Sequence, residues 1–168
     1  MDISINQDVA MIDRVKIQAQ VLVPVIEAFR REIGTQRANE ILSTALQDWS
    51  RDLHRREGAR QQGSPRQKWE ALMRDSAQRN AAAIELDVAK AEPNAFEFNV
   101  TSCRYAEFFK EIGEPELGRL LLCDTDVYVA EVGSPEVAFT RSQTIMQGAP
   151  HCDFRYRMRE SDAPGGSY

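Results

Sequence analysis

The sequence predicts an α+β fold, with N-terminal helices packed against a roughly four-stranded antiparallel sheet, and three observations lead there. Apolar residues recur every three or four positions from Ile12 to about Met73, which is the rhythm of helices with one buried face. From Ile84 to Val100 they recur every second position, the rhythm of strands, with Glu92, Pro93 and Asn94 marking a hairpin turn between two runs. The alternation returns over 137–145 and 152–158, joined across Met146, Gln147, Gly148, Ala149 and Pro150, and completes the sheet.

In order along the chain, Ile12, Val15, Ala19, Leu22, Ile26, Phe29 and Ile33 form the apolar seam of a long first helix. Pro24 lies inside the seam and is expected to kink or restart it, because proline lacks a backbone donor and crowds the preceding turn. Gly34 stops this helix and Thr35 is the expected cap of a second, whose apolar face runs through Ala38, Ile41, Leu42, Ala45, Trp49 and Leu53. Ser64, Pro65 and Gln67 make a capping-box start for a third helix, with Trp69, Leu72, Met73 and Ser76 inward. After the hairpin, Tyr105, Phe108, Phe109 and Ile112 return to helical spacing ended by Gly113, and Pro115 opens a short helix with Leu117, Leu120 and Leu121 inward. The segment 126–132 carries β-branched residues that suit a strand, while Asp126 can cap a helix; the helix is the preferred reading.

Of the 168 residues, 1–158 read as a single α+β domain and 159–168 as a disordered tail; a hydrophobic content of 42% is enough for a core. A net charge of −5 gives no drive toward nucleic acid. No apolar run reaches the roughly 20 residues that cross a bilayer and the N-terminus lacks a signal-peptide pattern, so neither a membrane nor a nucleic-acid partner is expected and the chain reads as cytoplasmic. Three cysteines, an odd number without a CxxC pair, agree with a reducing compartment and argue against structural zinc; no metal or other cofactor is expected. There is no Walker loop, dinucleotide fingerprint or GxSxG elbow. His54 sits among charges near a helix end, where the dipole or solvent accounts for it. The seam of the first helix is read as an intramolecular packing face, and a homodimer built on it stays open.

Candidate chemistry concentrates in 98–158. Arg141 shares a strand face with Val137 and Phe139, so its guanidinium needs a carboxylate, supplied by the protein or by a small ligand. Cys152 faces the core with Phe154, Tyr156 and Met158, where it either packs or reacts. His151 and Asp153 fall on the opposite face, as an oriented acid/base pair or as solvated neighbours. Cys103 stands at a strand-to-helix junction, where a helix N-terminus favours the thiolate; the same place suits a small buried residue. Cys123 ends a Leu-rich helix and reads as core.

The runs FNVTSCRYAEFFKEIGEPELGRLLLCDTD and TRSQTIMQGAPHCDFRYR resemble the L-2-amino-thiazoline-4-carboxylic acid hydrolase family of bacteria over 95–158, through Cys103, Tyr105, Gly113, Cys123, Asp126, Arg141, Gly148, Cys152, Asp153 and Phe154 together. A looser similarity runs to 4-vinyl-reductase-type ligand-binding domains. The resemblance implies a hydrolase acting on carbon-nitrogen bonds of a cyclic amidine or amide that carries a carboxylate. It casts Arg141 and Tyr105 as substrate-binding residues and Asp126 as amidine ligand or proton carrier. Attack falls to Cys103, to Cys152 or to water directly, and His151 with Asp153 donates to the leaving atom. On a regular strand His151 and Asp153 cannot share a face with Cys152, so not all these roles hold together. The same fold also suits a non-catalytic small-molecule-binding or sensory module.

Overall fold

The computed structural model describes residues 9–159. Three helices come first: α1 (Met11–Ile33), α2 (Thr35–Ala59) and α3 (Pro65–Asn80). The hairpin β1 (Ile84–Glu92) and β2 (Ala95–Cys103) follows, then α4 (Arg104–Glu111), α5 (Pro115–Leu121), a 3-10 turn (Cys123–Thr125) and α6 (Val127–Glu131). The chain closes with β3 (Val137–Thr140), a second 3-10 turn (Ile145–Gln147) and β4 (Cys152–Met158). The sheet order is β1-β2-β4-β3 and every pairing is antiparallel. The predicted α+β class is therefore the observed one, while the expected tail falls, apart from Arg159, outside the described residues.

Local chemistry accounts for most boundaries. Ser64 and Gln67 form the reciprocal capping box, with Pro65 in the first turn of α3. Gly34, at φ 84°, both ends α1 and precedes α2. A one-residue joint leaves no place for the predicted Thr35 cap, because Thr35 is already helical. α1 runs on through Pro24 without a restart.

Two apolar clusters build the interior. The first joins Ile12, Val15, Ala19 and Ile26 of α1 to Tyr105 and Phe109 of α4 and Leu117 of α5. The second lies on the inner face of the sheet, where Phe98, Val100, Cys152, Tyr156 and Met158 meet Trp69 of α3. Phe98 stacks on Phe154 at 4.8 Å and Phe139 on Tyr156 at 4.8 Å. Ile84, Cys103 and Ile145 pack against both clusters. The strand β4 has the predicted alternation, with Cys152, Tyr156 and Met158 buried and Arg157 exposed.

Three expectations are corrected. Leu22, Phe29 and Ile33 of the first seam are exposed, because only the stripe through Ile12, Val15, Ala19 and Ile26 meets α4. On α2 the inward residues include Ala38, Ser50 and Gly58, whereas Ile41 and Trp49 face outward. The strand expected over 137–145 ends at Thr140. Its physical reason is Asp153: the backbone N–H groups of Ser142 and Gln143 donate to Asp153 Oδ1, at 3.0 and 2.8 Å, instead of continuing the ladder with β4.

Candidate functional site

The site is assembled where the segment after α5 meets the β3 end of the sheet. Leu122 closes α5, and the 3-10 turn then delivers Cys123 and Asp126 to one side of Arg141, which sits one residue past β3. Asp126 stands at the N-cap of α6 but makes no cap bond. Its Oδ2 accepts a short hydrogen bond from Arg141 Nη1, and Arg141 Nη2 donates to the Cys123 carbonyl at 2.9 Å. The guanidinium also lies 5.5 Å from the Phe154 ring centroid. A guanidinium has five N–H donors, so others stay available after these two bonds.

This settles one alternative: the protein itself supplies a carboxylate partner for Arg141. Arg141 is nearly buried, at 13% side-chain exposure, while Asp126 keeps 38%. The protein around the Asp126 carboxyl desolvates it in part and pushes its pKa up to about 6 against the opposing pull of Arg141, while the side chain keeps contact with solvent. Its Oδ1 accepts no hydrogen bond from any described residue.

Cys103 from the end of β2, Cys123 from the 3-10 turn and Cys152 from the start of β4 gather around this ion pair, close enough that the charge of Asp126 acts on all three thiols. All three cysteines are free. Burial pushes each thiol up. For Cys103 the backbone N–H groups of Ala106 and Tyr105 at the start of α4 pull the other way, as a helix N-terminus should, but burial wins. For Cys152 burial likewise outweighs the Ile145 N–H, which donates to its Sγ at 3.2 Å. At Cys103 burial therefore outweighs the helix start, which agrees with the small-buried-residue alternative.

An open cleft of about 500 Å³ reaches Arg141 and Cys123 of this cluster, with Asp124, Val127, Tyr128, Phe139, Thr140 and Gln47 of α2 as its other walls; Asp126, Cys103 and Cys152 do not line it. Its walls are part apolar and part polar. Of the other predicted site residues, Tyr105 is turned away, its hydroxyl donating to Asn80 Oδ1 at 2.7 Å. Asp153 is occupied by the Ser142 hydroxyl at 2.7 Å and the two amides already described. Slight burial would raise its pKa, but those hydrogen bonds outweigh it and hold the carboxyl below the usual range. Among the described residues no bond joins His151 to Asp153, and the His151 carbonyl accepts from Gln143 Nε2 at 3.1 Å. The proposed acid/base pair is thus not assembled.

Two contributors were not singled out by sequence. Tyr156 is 1% exposed, and the charges of Asp126 and Arg141 both act on its phenol, whose pKa burial raises. Its inward alternation was visible, but not its proximity to a residue thirty positions away. Thr144, 2% exposed, caps the turn before Cys152 by accepting from the Gln147 N–H at 3.2 Å and donating to Gln147 Oε1 at 2.9 Å. Among the described residues no group of three or more His, Cys, Asp or Glu stands where it could hold a metal ion, and no helix is long and apolar enough to cross a membrane.

No curated protein matches the sequence. Among solved structures, the phenol-responsive sensory domain of the transcription activator PoxR, with phenol, is 10% identical at a TM-score of 0.48, covering 82% of this chain and 72% of that one. Trafficking protein particle complex subunit 3 from Naegleria fowleri, covalently bound to palmitic acid, is 12% identical at a TM-score of 0.46, covering 86% of this chain and 97% of that one. The sequence model of L-2-amino-thiazoline-4-carboxylic acid hydrolase matches residues 14–156, a span that holds both helical hairpin and sheet, the Asp126–Arg141 pair and all three cysteines. The chain belongs to the L-2-amino-thiazoline-4-carboxylic acid hydrolase family.

Proposed function

We propose that the protein is a hydrolase that opens a small cyclic amidine bearing a carboxylate, of the L-2-amino-thiazoline-4-carboxylate kind. The observation that carries this reading is Arg141, paired with Asp126, on the wall of an open cleft, in a chain of this family. The free N–H groups of Arg141 hold the substrate carboxylate. Asp126, ionised above about pH 6, accepts a proton at Oδ1 from a water that attacks the amidine carbon. The new carbon-oxygen bond forms as a ring bond to that carbon breaks, and the leaving ring atom takes the proton that Asp126 accepted. The three raised thiols favour attack by water over attack by cysteine, so Cys103 and Cys152 serve as packing residues. Tyr105, His151 and Asp153 take no part in this scheme, each being engaged elsewhere or unpaired.

Incubating the purified protein with L-2-amino-thiazoline-4-carboxylate and related cyclic amidines, with ring opening followed by mass spectrometry, tests the reading. Turnover of at least one is expected; turnover of none, with binding retained, would assign the cleft to a ligand-binding module instead. That second reading draws support from one feature of the cluster, that burial raises the pKa of every thiol in it.

A further inference from the structure

Two charged residues of opposite sign wall the cleft beside Arg141, and each is one half of an ion pair whose other half does not line it. Arg141 is paired with Asp126, and Asp124 is paired with Arg119 of α5, whose Nη1 donates a short hydrogen bond to Asp124 Oδ2. Arg141 and Asp124 line the cleft, whereas Asp126 and Arg119 do not. The two pairs therefore show the cleft one cation and one anion.

Neither charge is used up by its partner. Arg141 keeps N–H donors beyond those given to Asp126 and the Cys123 carbonyl. Asp124 Oδ1 accepts no hydrogen bond from any described residue, and its side chain is 24% exposed. The partners hold both groups in place, so a ligand meets a preset donor on one wall and a preset acceptor on another. Val127, Tyr128 and Phe139 supply apolar surface for the body of a small ring. Among the described residues no third charged side chain lines the cleft. A ligand that is only an anion meets like charge at Asp124, and one that is only a cation meets it at Arg141. A ligand carrying both signs meets an opposite charge at each.

We propose that the cleft selects a zwitterion, with Arg141 taking a carboxylate and Asp124 Oδ1 taking a cationic nitrogen. This selectivity rests on the cleft being the substrate site proposed above, and it narrows the ligand. An amidine is a strong base, cationic at neutral pH, whereas a cyclic amide is neutral, so Asp124 favours amidine over amide. The charge of Asp124 also acts on the Asp126 carboxyl, which puts a nitrogen bound at Asp124 close to the group that receives the proton.

Two rings that share a carboxylate and differ chiefly in the exocyclic atom test it: L-2-amino-thiazoline-4-carboxylate, whose amidine is cationic, and 2-oxothiazolidine-4-carboxylate, whose ring amide is neutral. Ligand-observed NMR titration of the full chain gives both affinities, and ring opening shows in the same spectra. The wild type is expected to hold the cationic ring at least about tenfold more tightly. Asp124→Asn should bring the two affinities within about threefold of each other, chiefly by weakening the cationic ring. Arg119→Gln should keep the preference, because Asp124 retains its charge; this variant separates binding by Asp124 from a merely structural role of the ion pair. Equal wild-type affinities, binding of neither ring, a preference that survives Asp124→Asn, or one that Arg119→Gln abolishes as Asp124→Asn does would overturn the proposal. The wild-type comparison depends on no variant, and circular dichroism checks that both variants fold. A cationic ring preferred but never opened would leave the zwitterion site standing and remove the hydrolase reading; a ring opened with no preference would do the reverse.

Discussion

Two aspartates on either side of the β3 to β4 connection show how one residue type is set to two different tasks. Asp126 lies beside Arg141 with that one strong partner, one oxygen unbonded, and its carboxyl partly desolvated; its pKa is pushed up to about 6. Asp153 lies on the outer side, little buried, accepting from a hydroxyl and two amides; its pKa is held down. A carboxylate saturated with hydrogen bonds is a fastener, and one short of them in a poorly solvated place is a proton carrier. The sequence reading had put both in the catalytic group, and the difference between them is a difference in donors, which side-chain alternation does not report.

The largest expected effect breaks the inner half of the comparison. Asp126→Asn should lower kcat for ring opening by about 10² to 10⁴ while leaving the fold intact, as steady-state kinetics and circular dichroism would show. An unchanged kcat would remove Asp126 from the chemistry. Arg141→Ala should act mainly on binding, raising KM by about 10- to 100-fold. A kcat loss with KM unchanged would mean that Arg141 meets the transition state and not the substrate carboxylate.

On the outer side, Asp153→Ala should lower stability by about 1 to 3 kcal/mol, because the amides of Ser142 and Gln143 lose their acceptor, with turnover per folded molecule within a few-fold of wild type. Denaturant unfolding and kinetics on the same preparation separate the two. The two carboxyls also have opposite linkage. Asp126 has a folded pKa above its unfolded one, so it holds its proton more tightly when folded and subtracts stability as pH rises from about 4 to about 6. Asp153 has a folded pKa below its unfolded one, so it adds stability that is present above about pH 4 and lost as pH falls through the folded value. Comparing melts of Asp126→Asn and Asp153→Asn across that range should flatten the pH dependence in opposite directions. Smallest of all, Cys103→Ser and Cys152→Ser should each leave turnover within about threefold; loss beyond a hundredfold in either would restore a cysteine nucleophile.

Much of the fold was legible because its signals are local. The capping box at Ser64, the stop at Gly34, the Pro93–Asn94 turn and the alternation on β4 each follow from a few neighbouring residues. What was not legible depended on which neighbours exist. Leu86 and Val88 alternate like core residues but lie on β1, at the edge of the sheet, and stay exposed. Ile41 and Trp49 look inward on spacing alone, yet the face of α2 that meets the rest of the chain passes through Ala38, Ser50 and Gly58. In the site, Arg141's need for a carboxylate was predictable from its apolar strand face, whereas the identity of its protein partner, Asp126, required the 3-10 turn to bring the two together. For Cys103 the sequence left open a helix-start thiolate or a small buried residue; the weight of burial between two cores is a tertiary quantity that local sequence does not report.

The most direct test is the pH dependence of kcat/KM for ring opening, measured between about pH 5 and 8 on the wild type and on Asp153→Asn. The account predicts a single rising limb centred near pH 6, where Asp126 ionises, followed by a plateau, with Asp153→Asn leaving the limb in place. A profile flat through pH 6, or one that climbs only toward the thiol range, would contradict it.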